Sequence, residues 1–198
     1  MNSARGQLLA IAAATMIAAV PARAQAGHVA IVIETSLGTI EATLDSAHAP
    51  VSVANFLRYV DDHAYDGGHF HRTVRTDNQP NNAVKIEVIQ GGVAPDRQGK
   101  AYGPIALERT SVTALRHLDG TLSMARGGPD SATSDFFICI GAQPELDFGG
   151  KRNADGQGFA AFGQVTRGLD VVRRIQAQHA EAQALTPPIT IVRIARRR

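Results

Sequence analysis

Residues 69–74 of the 198-residue chain are His-Phe-His-Arg-Thr-Val, and apolar and polar side chains alternate along them. A period of two places successive side chains on opposite faces of a β-strand. Phe70, Arg72 and Val74 are therefore expected to share one face. A guanidinium is almost never buried without a partner, which leaves two interpretations of Arg72. It is either the charged lip of a half-polar sheet or a side chain held over an apolar pocket to bind a ligand.

Short apolar segments recur on both sides of this stretch. Separated by glycine, proline, asparagine and serine, they predict about eight strands between residues 29 and 194, including a short one at 104–108. Helical spacing predicts two helices, one beginning at Pro50 and one over residues 168–176. Strands and helices do not alternate, so both a barrel and a sandwich fit the pattern. A closed eight-stranded barrel would be filled by its own side chains, and its ligand would lie on the outer wall.

Four segments stand in a fixed order along the chain. They are Phe70-His71-Arg72, Ile89-Gln90-Gly91-Gly92, Leu122-Ser123-Met124-Ala125 and Phe136-Phe137-Ile138. Together they resemble the signature segments of the cyclophilin family, the peptidyl-prolyl cis-trans isomerases, and the resemblance extends over about residues 29–194. It implies a mainly β fold, a closed eight-stranded antiparallel barrel capped by two α-helices.

The resemblance also implies a site on the outer wall. Arg72 matches the family's catalytic arginine, which points at the prolyl carbonyl and nitrogen, with His71 turned away from it. Gln90 matches a glutamine that orients the substrate backbone, and Phe137 matches the aromatic floor of the proline pocket. The implied substrate-binding residues are Phe70, Val88, Ala125, Arg126, Asp135, Phe137, Leu146 and Phe159.

Isomerisation of an X-Pro bond crosses a barrier of about 18–20 kcal/mol, because amide resonance holds the bond planar. It requires no nucleophile, metal or cofactor, and we expect none. His69 and His71 share a strand face, but no third ligand is spaced to complete a zinc site. The reaction needs a dry pocket for the proline ring and a donor that favours loss of resonance. An arginine presents several N–H groups in a fixed fork and would stabilise the twisted amide more than either planar form.

Several positions depart from the family pattern. Glu87 stands where the family has an aromatic residue, which predicts the loss of one contact to the substrate unless the inserted loop at 75–85 changes the register. Glu145 replaces another aromatic, and Phe159 replaces a histidine or tyrosine. Arg126 and Asp135 replace an asparagine and a glutamine.

The carboxylate of Asp135 is the departure with the clearest consequence. It is expected to pair with a guanidinium, because charge-assisted hydrogen bonds are roughly twice as strong as neutral ones. Pairing with Arg72 would compete with the substrate carbonyl for the same N–H groups. Pairing with Arg126 would brace the edge along which substrate lies. We expect Arg126, because it and Asp135 belong to one loop between two adjacent strands.

The segment 75–85 is longer than the short turn that most family members have. It is polar, rich in asparagine and broken by Pro80. This composition predicts an exposed loop that is dispensable for folding.

Residues 1–26 have the features of a secretory signal peptide. Arg5 precedes an apolar run at 8–20, which is shorter than the ~20 residues that a membrane-spanning helix needs. An uncleaved anchor is the alternative. Cleavage would leave a single domain, 27–198, with no stable membrane insertion. With the resemblance, this leader predicts an exported bacterial protein, located in the periplasm or secreted.

The formal charge of +2 falls to zero when the leader, with Arg5 and Arg23 and no acid, is removed. A neutral protein has no long-range field to attract nucleic acid. The single cysteine, Cys139, has apolar neighbours and is expected to be a buried hydrophobe.

The expected partners are proline-containing, unfolded or partly folded polypeptides, bound by a monomer. Two hypotheses stay open: a prolyl isomerase for exported proteins, and a module or chaperone that binds proline segments with little catalysis.

Overall fold

The computed structural model describes residues 27–94, 96–97 and 102–197, so the predicted leader lies outside it. Its nine strands form one antiparallel sheet. They are β1 (His28–Thr35), β2 (Gly38–Asp45), β3 (His69–Val74), β4 (Val88–Gly92), β5 (Thr121–Met124), β6 (Phe136–Cys139), β7 (Ala160–Arg167), β8 (Ala180–Glu181) and β9 (Ala184–Arg196).

Eight of these strands close into a barrel. Their order is β1-β2-β7-β5-β6-β4-β3-β9, and β9 pairs back with β1, while the two-residue β8 adds to β9 alone. The predicted closed eight-stranded antiparallel barrel is therefore confirmed. The predicted strand at 104–108 is wrong, because that segment makes only an isolated bridge between Ile105 and Ala132.

Three α-helices accompany the barrel: α1 (Pro50–Asp61), α2 (Thr110–Thr113) and α3 (Leu169–Gln176). The two predicted helices, α1 and α3, are present with their apolar faces buried. The four-residue α2 was not predicted, since one turn is too short to show a helical period. No helix among the described residues is long and apolar enough to cross a membrane.

Aromatic side chains fill the interior of the barrel. Phe56 of α1 lies 5.1 Å from Tyr65, 5.3 Å from Phe136 and 5.2 Å from Phe162, measured between ring centroids. Phe70 joins this cluster at 5.8 Å from Phe136, and all five rings are fully buried. The lumen has no room for a ligand, so any binding site must lie on the outer wall.

A β-bulge separates the two side chains with which the sequence analysis began. Phe70 is paired with Gly91 and Arg72 with Gln90, so His71 is one extra residue on β3. Adjacent residues of β4 point to opposite faces, and the residues paired with them do too. The expectation that Phe70 and Arg72 share a face is therefore wrong: Phe70 enters the core and Arg72 faces outward.

The 75–85 loop is exposed over most of its length but has an internal frame. The buried side chain of Gln79 donates to the carbonyl oxygens of Arg75 (2.6 Å) and Ile86 (2.7 Å) and accepts from the Ile86 N–H (3.3 Å). Asn78 binds back to Thr73 and Ala182. The loop thus contributes buried hydrogen bonds, which its polar composition alone does not reveal.

Candidate active site

An open cavity of about 390 Å³ lies on the outer wall, across β4 and β6 and beside the end of β5. We call it the outer cavity. It gathers nine of the ten predicted site residues, and the exception is Phe70, which lies inside the barrel. Ile86 and Arg152 also line it, although the sequence analysis assigned neither of them to the site.

One part of the outer cavity is apolar. Phe137 forms its floor, with Phe159 edge-on at 5.3 Å between ring centroids and Leu146 and Val88 beside it. These side chains belong to a small hydrophobic cluster outside the barrel, distinct from the core cluster within it. A flat aromatic floor with aliphatic walls suits a ring the size of proline.

Glu87 does not leave a gap in this apolar part. Ile86, Val88 and Gln90 alternate along the chain and all line the outer cavity. Glu87 points to the other face, where its Oε1 lies 3.4 Å from Nε2 of Gln176. Ile86 therefore supplies an aliphatic contact that the sequence analysis did not foresee.

Arg72 is held by two glutamine side chains. Its Nη1 donates to Oε1 of Gln90 at 3.0 Å, while Nε and Nη2 donate to Oε1 of Gln183 at 2.9 and 2.6 Å. A guanidinium has five N–H groups, so two remain for a ligand. Burial lowers the pKa of Arg72, but a guanidinium stays protonated in proteins. Gln183 was missed because it lies 111 residues from Arg72 in sequence, in the turn between β8 and β9.

The predicted pairing of Asp135 with Arg126 is wrong, and so is the alternative with Arg72. Oδ2 of Asp135 accepts from Nε2 of Gln90 at 3.1 Å and lies 3.6 Å from Nε2 of His71. His71 therefore belongs to the surroundings of the site. Because Asp135 takes the amide N–H of Gln90, the amide oxygen of Gln90 is turned towards Arg72. Asp135 acts on the arginine through Gln90 and does not occupy its N–H groups.

Arg126 is tied away from Arg72 by a different carboxylate. Its Nη1 and Nη2 lie 2.7 and 2.9 Å from the two oxygens of Asp155, and its guanidinium stands 5.0 Å from the ring centroid of Phe159. These hydrogen bonds, with one from the backbone N–H of Gln157, lower the pKa of Asp155 to about 2. In the described part of the chain, the main-chain N–H and C=O of Arg126 make no hydrogen bond.

A second polar network lies beneath Phe137. Nδ1 of His117 is 2.8 Å from Oδ1 of Asp147, and Nε2 is 2.9 Å from Oγ of Ser123. The imidazole is nearly parallel to the Phe137 ring, with 5.9 Å between centroids. The order serine, histidine, aspartate is that of a hydrolase triad. Here Ser123 and His117 are buried, so no substrate can reach the hydroxyl.

Cys139 contributes to neither network. It is fully buried in the outer hydrophobic cluster, and burial raises the pKa of its thiol far above the ordinary value. Among the residues that the structure describes, no three His, Cys, Asp or Glu side chains are grouped to hold a metal ion.

The family model for cyclophilin type peptidyl-prolyl cis-trans isomerases matches residues 30–196. The chain belongs to this family. It is 38% identical over 162 residues to peptidyl-prolyl cis-trans isomerase A of Dickeya dadantii, covering 81% of this chain and 78% of that protein. It is 34% identical over 148 residues to peptidyl-prolyl cis-trans isomerase B of Escherichia coli, covering 74% and 83%.

Solved cyclophilin structures share the fold. The crystal structure of a Cryptosporidium parvum cyclophilin type isomerase aligns with a TM-score of 0.68 at 22% identity, over 86% of this chain and 98% of that one. A structure of the same protein in the presence of the dipeptide Ala-Pro aligns with a TM-score of 0.67.

Proposed function

We propose that this protein is an exported prolyl isomerase that accelerates cis–trans exchange of X-Pro bonds in proteins folding outside the cytoplasm. The observation that carries the proposal is the placement of Arg72, which holds two unused N–H donors over the apolar floor of the outer cavity. Family membership supports the reaction, and the leader at 1–26 supports export.

The chemistry follows from what twisting does to an amide. A planar X-Pro amide delocalises the nitrogen lone pair, and at the twisted state that pair is localised on nitrogen. A proline ring on Phe137 would bring its nitrogen and the preceding carbonyl within reach of Arg72. The guanidinium would stabilise the twisted form more than either planar form, which lowers the barrier. Neither a nucleophile nor a proton transfer is required.

The segment before the proline would bind as an added strand. Arg126 offers its main-chain N–H and C=O beside the outer cavity, while its side chain is fixed by Asp155. Main-chain hydrogen bonds of this kind hold a peptide without reading its side chains. Such a site would accept many unfolded polypeptides.

An exchange assay separates catalysis from binding. Cis–trans exchange of a short proline peptide is measured by two-dimensional NMR with wild type and with Arg72→Ala, and peptide binding is titrated on the same samples. The proposal expects acceleration by wild type that is lost in the variant. Binding without acceleration would support the alternative of a proline-binding module.

Export is tested separately, because catalysis says nothing about location. The full chain is expressed in a bacterium, the cells are fractionated, and the N-terminus is sequenced. We expect a chain that begins after residue 24 or 26, in the periplasm or medium. A chain that begins at Met1 in the envelope would instead indicate an uncleaved anchor.

A further inference from the structure

The carboxylate of Asp135 and the guanidinium of Arg152 both line the outer cavity. Asp135 lies beside Ala125, whose N–H donates to the Asp135 carbonyl oxygen at 2.9 Å. Nη1 of Arg152 donates to Oε1 of Gln79 at 2.9 Å and to the carbonyl oxygen of Val84 at 2.7 Å. Gln79 in turn binds both main-chain groups of Ile86. Arg152 is thereby tied, through Gln79, to the main chain of Ile86.

Arg152 has unused hydrogen-bonding capacity. Its two side-chain hydrogen bonds to described residues both involve Nη1, so Nε and Nη2 have no partner in that part of the chain. The ion pairs found among the described residues also leave Arg152 without a carboxylate, whereas the adjacent Arg126 has Asp155. Burial, followed by the positive charge of Arg72, lowers the pKa of Arg152. Two guanidinium groups without carboxylate partners thus line the same cavity.

The distance between Val88, where β4 begins, and Ile86, two residues before it, indicates which substrate residue Arg152 would meet. Val88 lies beside the Phe137 floor, and Ile86 is two residues further towards Arg152. Two residues of extended chain span about 7 Å. If the segment before proline follows Ala125 and Arg126, the segment after it leaves towards Ile86. The residue one or two positions after the proline then reaches the guanidinium of Arg152.

We propose that Arg152 selects substrates with an aspartate or glutamate one or two positions after the proline. A carboxylate there fits the unused fork of Nε and Nη2, and fork-shaped pairing with a carboxylate is a property of arginine. This preference rests on the proposed function, since it assumes that proline occupies the Phe137 floor.

The test compares two sets of three peptides, Ala-Ala-Pro-X-Ala and Ala-Ala-Pro-Ala-X, each with glutamate, glutamine or lysine at X. Exchange rates and dissociation constants are both measured by NMR at low and high salt. Wild type is expected to prefer glutamate over glutamine by about fivefold in either measure, within the range of a partly exposed charge pair. Lysine is expected to be disfavoured, and the preference should weaken at 0.5 M salt, where the Debye length is ~4 Å.

Three variants locate the cause of the preference. Arg152→Gln removes the charge at the cavity and is expected to bring the glutamate-to-glutamine ratio close to one. Lys151→Gln is the matched control. It also removes one positive charge, but from an exposed side chain that does not line the outer cavity. It is expected to keep the ratio and the activity on the glutamine peptide. Arg152→Lys should give an intermediate ratio, because lysine keeps the charge but not the fork.

Each outcome decides the matter. A wild-type ratio near one in both peptide sets, or a ratio that survives Arg152→Gln, overturns the proposal while leaving the isomerase intact. Loss of the ratio in Lys151→Gln also overturns it, because the net field would then be the cause. If no peptide is exchanged faster, the proposed function fails, and the dissociation constants alone still show whether Arg152 selects a carboxylate.

Discussion

Two hydrogen-bonded networks lie on opposite sides of the Phe137 ring. The buried network below it joins Asp147, His117 and Ser123, and the cavity network above it joins Asp135, Gln90, Arg72 and Gln183. Both contain a carboxylate that orients the next group. In the buried network every polar side-chain atom has a partner. In the cavity network Arg72 keeps two N–H groups that the described protein does not use.

This difference separates stability from binding. A carboxylate only accepts hydrogen bonds, so Nδ1 of His117 carries the proton that meets Asp147, and Nε2 shares a hydrogen bond with Oγ of Ser123. That arrangement is complete and dry, which makes it rigid. The side chains of the cavity network also hold one another by hydrogen bonds. Arg72, however, faces the outer cavity and keeps two N–H groups without a partner among the described residues. The buried network therefore supports the ring of Phe137, and the cavity network leaves Arg72 able to bind a ligand.

The largest effect is expected from breaking the buried network. His117→Ala would remove the shortest of the hydrogen bonds to Asp147 and leave a space beneath Phe137, so the free energy of unfolding should fall by about 3 kcal/mol. Ser123→Ala loses a single hydrogen bond and should cost about 1 kcal/mol. Urea unfolding measures both. Equal stability of His117→Ala and wild type would show that the network is not structural.

Breaking the cavity network should lower the catalytic efficiency and leave the free energy of unfolding almost unchanged. Arg72→Ala should lower kcat/KM by at least about tenfold, because a hydrogen bond from a charged group contributes about 1.5–3 kcal/mol and ~1.36 kcal/mol is tenfold in rate. Its unfolding free energy should stay close to that of wild type. Unchanged catalytic efficiency would exclude Arg72 from the reaction.

A smaller effect is expected for Gln183, which positions Arg72 without touching substrate. Gln183→Ala removes two of the three hydrogen bonds that hold the guanidinium. We expect kcat to fall by about threefold, the equivalent of ~0.7 kcal/mol, with little change in KM. Gln178→Ala is the matched control, since that half-buried glutamine donates to the carbonyl oxygen of Arg174 and makes no hydrogen bond to Arg72. An equal loss in both variants would argue against a positioning role.

The sequence predicted which residues line the cavity better than it predicted the hydrogen bonds among them. The four signature segments place Arg72, Gln90, Ala125 and Phe137 on adjacent strands, and the pairing of those strands follows from the fold. The β-bulge at His71 could not be predicted in this way, because one extra residue leaves no mark on the composition of the strand. It moved Phe70 from the expected site into the core.

The partners of charged groups were harder to predict. Asp135 was assigned to an arginine on the strength of charge alone, yet the nearest donor is the uncharged amide of Gln90. Arg126 had a carboxylate available 29 residues later, in Asp155. Gln183 and Arg152 come from turns that follow other elements, and only the closed barrel brings them beside Arg72.

Acid should act on Asp147 of the buried network and on Asp155, which pairs with Arg126 beside the outer cavity. Burial alone would raise the pKa of Asp147, but hydrogen bonds from His117 lower it below the ordinary 3.8, and Asp155 is lowered to about 2. Carboxyls with depressed folded-state pKa values stabilise the protein above the unfolded value and lose that contribution as pH falls. The free energy of unfolding should therefore decline between pH 4 and pH 2. Urea unfolding at several pH values measures this decline. Asp155→Asn should make the free energy of unfolding depend less steeply on pH, and an unchanged dependence would contradict the role of the ion pair with Arg126.

Closure of the barrel has a further consequence for a protein that handles unfolded chains. Among the described strands only the two-residue β8 has a single neighbour, so the sheet offers almost no free edge. Free edges are where foreign strands join a sheet and start aggregation. In the proposed function an extended polypeptide would add beside Arg126, over a few residues. Unfolded polypeptides at high concentration would therefore find almost no exposed strand edge on this protein from which to aggregate.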